Sequence, residues 1–127
     1  MDPIVIVDMI RKGDIETFSN FLSKNLDIDM IIDRFSDMNL IHYIIYLKKI
    51  NFFKILVEKG ADIHMKNIFS FNAIHFACMS GHLEIVKYLI ELGLDPHALT
   101  ITGQTGFDIA CENNYLEIVE YLAQFKL

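Results

Sequence analysis

Long apolar runs are missing from this sequence. The longest, residues 40–47, is interrupted by His42, and none approaches the ~20 residues that a membrane-spanning helix needs. Met1, Asp2 and Pro3 put no positive charge ahead of the apolar residues 4–7, so the pattern of a secretory signal is absent. Positive charge is in deficit: 11 basic residues stand against 17 acidic ones, a net charge of −6. Non-specific affinity for nucleic acid comes from clustered Lys and Arg, so the balance argues against a nucleic-acid partner. Catalytic signatures are missing too. There is no Gly-x-Ser-x-Gly elbow, no P-loop and no Gly-x-Gly-x-x-Gly turn. No linker, low-complexity tract or second domain interrupts the chain. Cysteine is scarce, with only Cys78 and Cys111.

Hydrophobic residues, by contrast, make up 53% of 127 residues. A domain of this length buries roughly two-thirds of its unfolded surface without a covalent staple. That richness predicts a helical stack with most helices covered on more than one side. The stretch 70–97 shows how. Asn72 opens a short apolar helix, Gly81 breaks it, a longer amphipathic helix ends at Gly93, and Asp95–Pro96 turns the chain away. The unit then recurs every 33 residues: Asp62 matches Asp95, His42 matches His75 and Cys78 matches Cys111. Such a period marks a repeat protein in which each unit needs its neighbours to bury its apolar face.

Taken in order, Asp2 and Pro3 cap a first helix over 4–11, and Lys12–Gly13 stop it. Asp14 restarts a helix that puts Ile15, Phe18, Phe21 and Leu22 on one face and ends near Asn25. Leu26–Asp27 matches Leu94–Asp95 at an offset of 68, two periods plus two. A two-residue insertion between Asp27 and Asp37 follows, and its Met30, Ile31, Ile32 and Phe35 are open to two readings, contact with a partner or folding back onto the first repeat. Asn39 caps a helix over 40–47, and Lys48–Lys49 replace the Gly81–His82 break. Ile50, Phe53, Ile55, Leu56 and Val57 lie on the next helix before Gly60. The fourth unit opens at Thr105, carries Ile109, Ala110 and Cys111, and repeats residues 82–89 at 115–122 almost residue for residue.

These residues resemble the ankyrin repeat family. Residues 72–78, NAIHFAC, are similar to its Thr-Pro-Leu-His-x-Ala-Ala signature, 81–90 to its second helix and 60–64 to its hairpin. The resemblance implies an all-α ankyrin-repeat solenoid of helix-turn-helix units with short β-hairpin or loop fingers. It runs as a single domain over 1–127, with repeats at approximately 1–33 (an N-terminal cap), 34–66, 67–99 and 100–127 (a C-terminal cap). It also implies binding of other proteins through the fingers and the concave inner helices. Departures are local. Repeat two carries Ile44–Ile45 where the family prefers small alanines, which should push the neighbouring inner helix away or demand a compensating gap. Repeat four has Asp108 for the motif histidine and Asn114 for the turn glycine, a residue that tolerates positive φ.

Each candidate for chemistry has a structural counterpart. His42 and His75 are one period apart, as are His64 and His97, and equivalent positions in successive layers are too distant to share one metal ion. The resemblance makes His42 and His75 structural, bonding the loop around the helix start, and gives His82 the same role at the turn. Cys78 lies three residues after His75, but a reactive thiolate needs an exposed electropositive setting. Packed layers are ~8–10 Å apart while a disulfide wants Cα atoms within ~7 Å. The expectation is therefore two free, buried, reduced thiols. Glu84 and Lys87 read as a solvated helix pair. No catalytic residue, metal or cofactor is expected.

Apolar residues where the family binds carry the functional expectation. Matching its inner-helix positions are Arg11 and Lys12, Tyr46 and Leu47, Met79 and Ser80, then Glu112 and Asn113. The finger positions are Phe35, Ser36 and Met38; Ile68, Phe69 and Phe71; Ile101, Thr102 and Gln104. An aromatic and apolar centre with a charged rim is the anatomy of a hot-spot interface, with inward packing of Met38 and Phe71 as the alternative. Tyr46, Met79 and Phe69 are expected to carry most of the affinity. The expected function is a non-enzymatic binding module for one or more proteins, monomeric, in the cytoplasm or nucleus. Two other readings stay open: a stand-alone inhibitor of an enzyme or cytoskeletal factor, and a targeting or scaffold segment of a larger protein. The Met1–Asp2–Pro3 start and the Leu127 end favour a complete domain.

Overall fold

The computed structural model describes residues 3–24, 29, 31–33 and 37–125. The expected cap at Asp2, the helix end at Asn25, most of the insertion with Met30, and Phe35 and Ser36 of the first finger lie outside the described residues. Two compact units divide the chain, Met1–Asp62 and Ile63–Leu127.

In the first unit, α1 (Pro3–Lys12) and α2 (Ile15–Leu22) form a helix pair, joined through Gly13 at φ 73°. Asp14 caps α2, its carboxylate accepting from the Thr17 N–H at 3.2 Å. A ribbon of β1 (Ile31–Asp33) and β2 (Met38–Asn39) follows. It is antiparallel, pairing Ile31 with Asn39 and Asp33 with Met38, with one residue bulged out between. Asn39 ends the ribbon and caps α3 (Leu40–Tyr46), its side chain accepting from the His42 N–H at 2.9 Å. The chain then turns into α4 (Ile50–Glu58). Helices α2 and α4 meet through Phe18 and Phe52, whose rings cross edge to face at 4.9 Å. Both isoleucines at the alanine positions, Ile44 and Ile45, are fully buried.

In the second unit, α5 (Ala73–Ser80) pairs with α6 (Leu83–Glu91), and α7 (Gly106–Glu112) with α8 (Leu116–Ala123). Every residue of α5 from Ala73 to Cys78 is buried, the signature of a helix covered all round. The start of α7 lies directly on α5. A Cβ added at Gly106 would stand 2.9 Å from Cys78 Sγ and 3.0 Å from Ile74 Cγ2, so a hydrogen in place of a side chain permits the approach.

The inter-helix turns explain the sequence punctuation. One residue in each is left-handed: Gly13, Lys48 at φ 61°, Gly81 at φ 78° and Asn114 at φ 60°. Asn114 fulfils the expectation that it replaces the turn glycine. Lys48 does the same without the short amide side chain that makes asparagine tolerant of this conformation.

Candidate functional site

The fingers of the second unit are built twice, from different residues at the same offsets. In the first, Ser70 is left-handed at φ 60° and its N–H donates to Asn67 O at 3.0 Å. Asn67 Oδ1 accepts from the N–H groups of both Phe69 and Phe71, at 2.9 Å each. In the second, Gly103 is left-handed at φ 80° and donates to Thr100 O at 2.9 Å. Thr100 Oγ1 accepts from the Gln104 N–H at 3.1 Å. Asn67 and Thr100 thus close equivalent turns 33 residues apart, each with a side-chain oxygen. The Ile101 N–H donates to Phe69 O at 2.9 Å, tying one finger to the next.

Each finger is also pinned to the helices. His75 Nδ1 accepts from the Asn72 N–H at 2.9 Å, while Asn72 Oδ1 accepts from the His75 N–H, a reciprocal capping box. With Nδ1 accepting, the proton sits on Nε2, which donates to Ala98 O at 2.9 Å. Burial holds the His75 pKa below its usual value, in keeping with a neutral ring between two backbone groups. In the next repeat Asp108 forms the same box with Thr105, so an aspartate in the histidine position keeps the cap. His82 caps α6, its Nδ1 accepting from the Ile85 N–H at 3.3 Å. These positions make His75 and His82 structural, as expected.

The expected contact residues divide by exposure. Ile68 and Ile101, at equivalent tip positions, are 69% and 68% exposed. Phe69, Thr102, Tyr46, Glu112 and Asn113 are also exposed, and Leu47 and Met79 are half-buried. Glu112 and Asn113 already have partners within the chain: Gln104 Nε2 donates to Glu112 Oε1 at 2.6 Å and Asn113 Nδ2 to Ile109 O at 2.8 Å. Met38 and Ser80 correct the expectation, because both are buried. Met38 sits in β2 beside the cap residue, and Ser80 turns inward to donate its hydroxyl to Ala77 O. Phe71 lies against His75 and Phe76, with ring centroids 5.6 and 5.7 Å away. Leu99, more than half exposed, was missed. Its signal was periodic: one repeat earlier the position is Lys66.

The thiols also differ from expectation. Both are free, but only Cys78 is buried, and burial pushes its pKa up to about 12. Cys111 is exposed; Gly106 stands against Cys78, whereas among the described residues no glycine approaches Cys111 in that way. Lys87 lies over the Tyr121 ring, 5.4 Å from its centroid, a cation–π contact that supplements the solvated helix surface. Among the described residues no group of three or more His, Cys, Asp or Glu side chains could hold a metal ion. No described helix is long and apolar enough to cross a membrane.

A family model described as ankyrin repeats (3 copies) matches residues 6–100 and again residues 41–126. The chain belongs to the ankyrin repeat family, whose members are generally protein–protein interaction modules and typically not enzymes. A search of curated proteins gives no match.

Proposed function

We propose that this chain is a non-enzymatic binding module that recognises a protein partner through its fingers and inner helices. One observation carries the reading: two isoleucines at equivalent tips stand about two-thirds exposed, at 69% and 68%, while the Ile101–Phe69 backbone bond fixes their fingers together. Large apolar side chains on a backbone already fixed add little backbone entropy cost on binding and gain from burial. Tyr46, 43% exposed on α3, and Met79 on α5 are the proposed inner-helix contacts. Glu112, Thr102 and Asn113 supply polar rim. The protein would act as a monomer in the cytoplasm or nucleus, where free Cys78 and Cys111 stay reduced.

The test compares two triple variants with the wild-type protein. One is Ile68→Ala with Phe69→Ala and Ile101→Ala; the other is Tyr46→Ala with Phe69→Ala and Met79→Ala. A partner captured from cells that express the protein would be purified and titrated by calorimetry. Removing anchors of this kind should weaken binding by about thirtyfold, or ~2 kcal/mol, while circular dichroism stays native. Unchanged affinity in both folded variants would refute the assignment.

A further inference from the structure

The last helix pair of the second unit carries a groove that belongs neither to the fingers nor to the inner-helix row. Pro96, Phe107, Leu122 and Phe125 form its apolar wall, and His97 and Thr105 add polar lining, around about 390 Å³. One repeat earlier the same surface is covered. Ile74, 33 residues before Phe107, is buried where the start of α7 lies on it. Phe107 itself is 36% exposed, and Phe125 is half-buried.

The polar end of the groove is inverted between the two layers. His75 donates from Nε2 to the carbonyl of Ala98, in the loop that follows α6. Asp108 stands in its place. One oxygen of its carboxylate accepts from the Thr105 N–H at 3.0 Å, and the other has no partner among the described residues. A carboxylate only accepts, so an occupant lying against it must bring a donor. The surrounding charges agree. Asp95 precedes Pro96 and accepts from the His97 N–H at 2.8 Å. Glu120 lies three residues before Ala123, which also lines the groove, and so shares its helix face. Asp95, Asp108 and Glu120 are all exposed, and among the described residues no lysine or arginine pairs with them. Over residues 95–127 these three, with Glu112 and Glu117, stand against one cation, Lys126, which lies outside the described residues. Lys87, on α6, is held over the Tyr121 ring.

We infer that this groove docks a basic segment of a partner protein, with an aliphatic side chain against Phe107, Leu122 and Phe125 and flanking lysine or arginine on Asp108 and Glu120. Charge complementarity sets the class of occupant, and the apolar wall sets its anchor. A polyanion or an anionic bilayer meets the local carboxylates and an overall charge of −6. A purely polar cation leaves the wall in water and forgoes its burial. The groove is separate from the fingers, so either site can stand without the other.

The probe is a fluorescein-labelled hexapeptide alternating lysine and leucine, titrated by anisotropy against the full chain. The titration is run at about pH 8, above the usual histidine range, because His97 faces the groove. Lysine–serine and glutamate–leucine hexapeptides serve as comparisons. The lysine–leucine peptide should bind saturably, and about tenfold or more tightly than either of them. Asp108→Asn with Glu120→Gln should weaken it about tenfold, or ~1.4 kcal/mol, through the loss of two exposed pairs; asparagine still accepts the capping bond. Phe107→Ser should weaken it by a similar factor, while Ile68→Ala with Ile101→Ala, on the fingers, should leave it unchanged. Should the carboxylate variant fail to fold, Glu120→Lys, at an exposed helix position, replaces it and should act in the same direction. Absence of saturation by millimolar peptide overturns the inference. So does equal affinity for the lysine–serine or glutamate–leucine peptide, unchanged affinity in the folded carboxylate variant, or loss of binding in the finger variant.

Discussion

His75 joins three layers of organisation in one ring: it closes the cap of α5, supports the next finger through Ala98, and sits 1% exposed. Both nitrogens have assigned roles only while the ring is neutral, because protonating Nδ1 destroys the acceptor for the Asn72 N–H. Burial lowers its folded pKa below 6.5. Above pH 6.5 the ring is neutral in both states and its full contribution is present. As pH falls, the unfolded chain takes up the proton first, so stability declines through the window from 6.5 down to the folded value. One proton limits this slope to ~1.4 kcal/mol per pH unit. Urea midpoints between pH 7.5 and 5.5 should therefore fall more steeply for the wild-type protein than for His75→Gln, the other histidines being common to both. Equal slopes would remove the proposed titration.

Elements were legible in the sequence where their cause is local. Asn39, Asn72 and Thr105 each place a side-chain oxygen on the third following N–H, a chemistry that their residue types announce. The fingertips were legible through the family resemblance, which placed Ile68 and Ile101 at equivalent finger positions, and both are exposed. Met38, Ser80 and Cys111 were not, because their burial depends on which surface another element covers. The 33-residue copy makes Cys78 and Cys111 alike in sequence, yet only Cys78 lies beneath the first residue of α7. That contact gives the element-level prediction. Ala at position 106 would favour an isolated helix by ~1 kcal/mol over glycine, but here its methyl enters space held by Cys78 and Ile74. Gly106→Ala should lower stability by about 1–3 kcal/mol in urea titration. Adding Cys78→Ala should restore part of the loss by removing Sγ. A Gly106→Ala protein as stable as the wild type would show that α7 can shift away without cost.

At the scale of the whole molecule, the two units draw on the same repeat with unequal local support. The second has reciprocal capping boxes at Asn72–His75 and Thr105–Asp108, and its turns use Gly81 and Asn114. The first carries a lysine in a left-handed turn, followed by α4, whose N-cap Lys49 makes no side-chain capping bond, as Tyr115 makes none for α8. Repeat arrays sum local stabilities with nearest-neighbour terms and open in parts as well as globally. A missing cap costs ~1 kcal/mol and left-handed strain a similar amount, so α4 should open more readily than α5. Native-state hydrogen exchange resolves this by residue. The α5 amides, in a helix whose residues 73–78 are all buried, should exchange about tenfold or more slowly than those of α4. Lys48→Gly should narrow that gap by slowing α4 and leaving α5 unchanged. If α4 already exchanges as slowly as α5, the strain at Lys48 is offset within the first unit. If Lys48→Gly slows both helices equally, the chain opens as one cooperative body and the local ordering of stability is wrong.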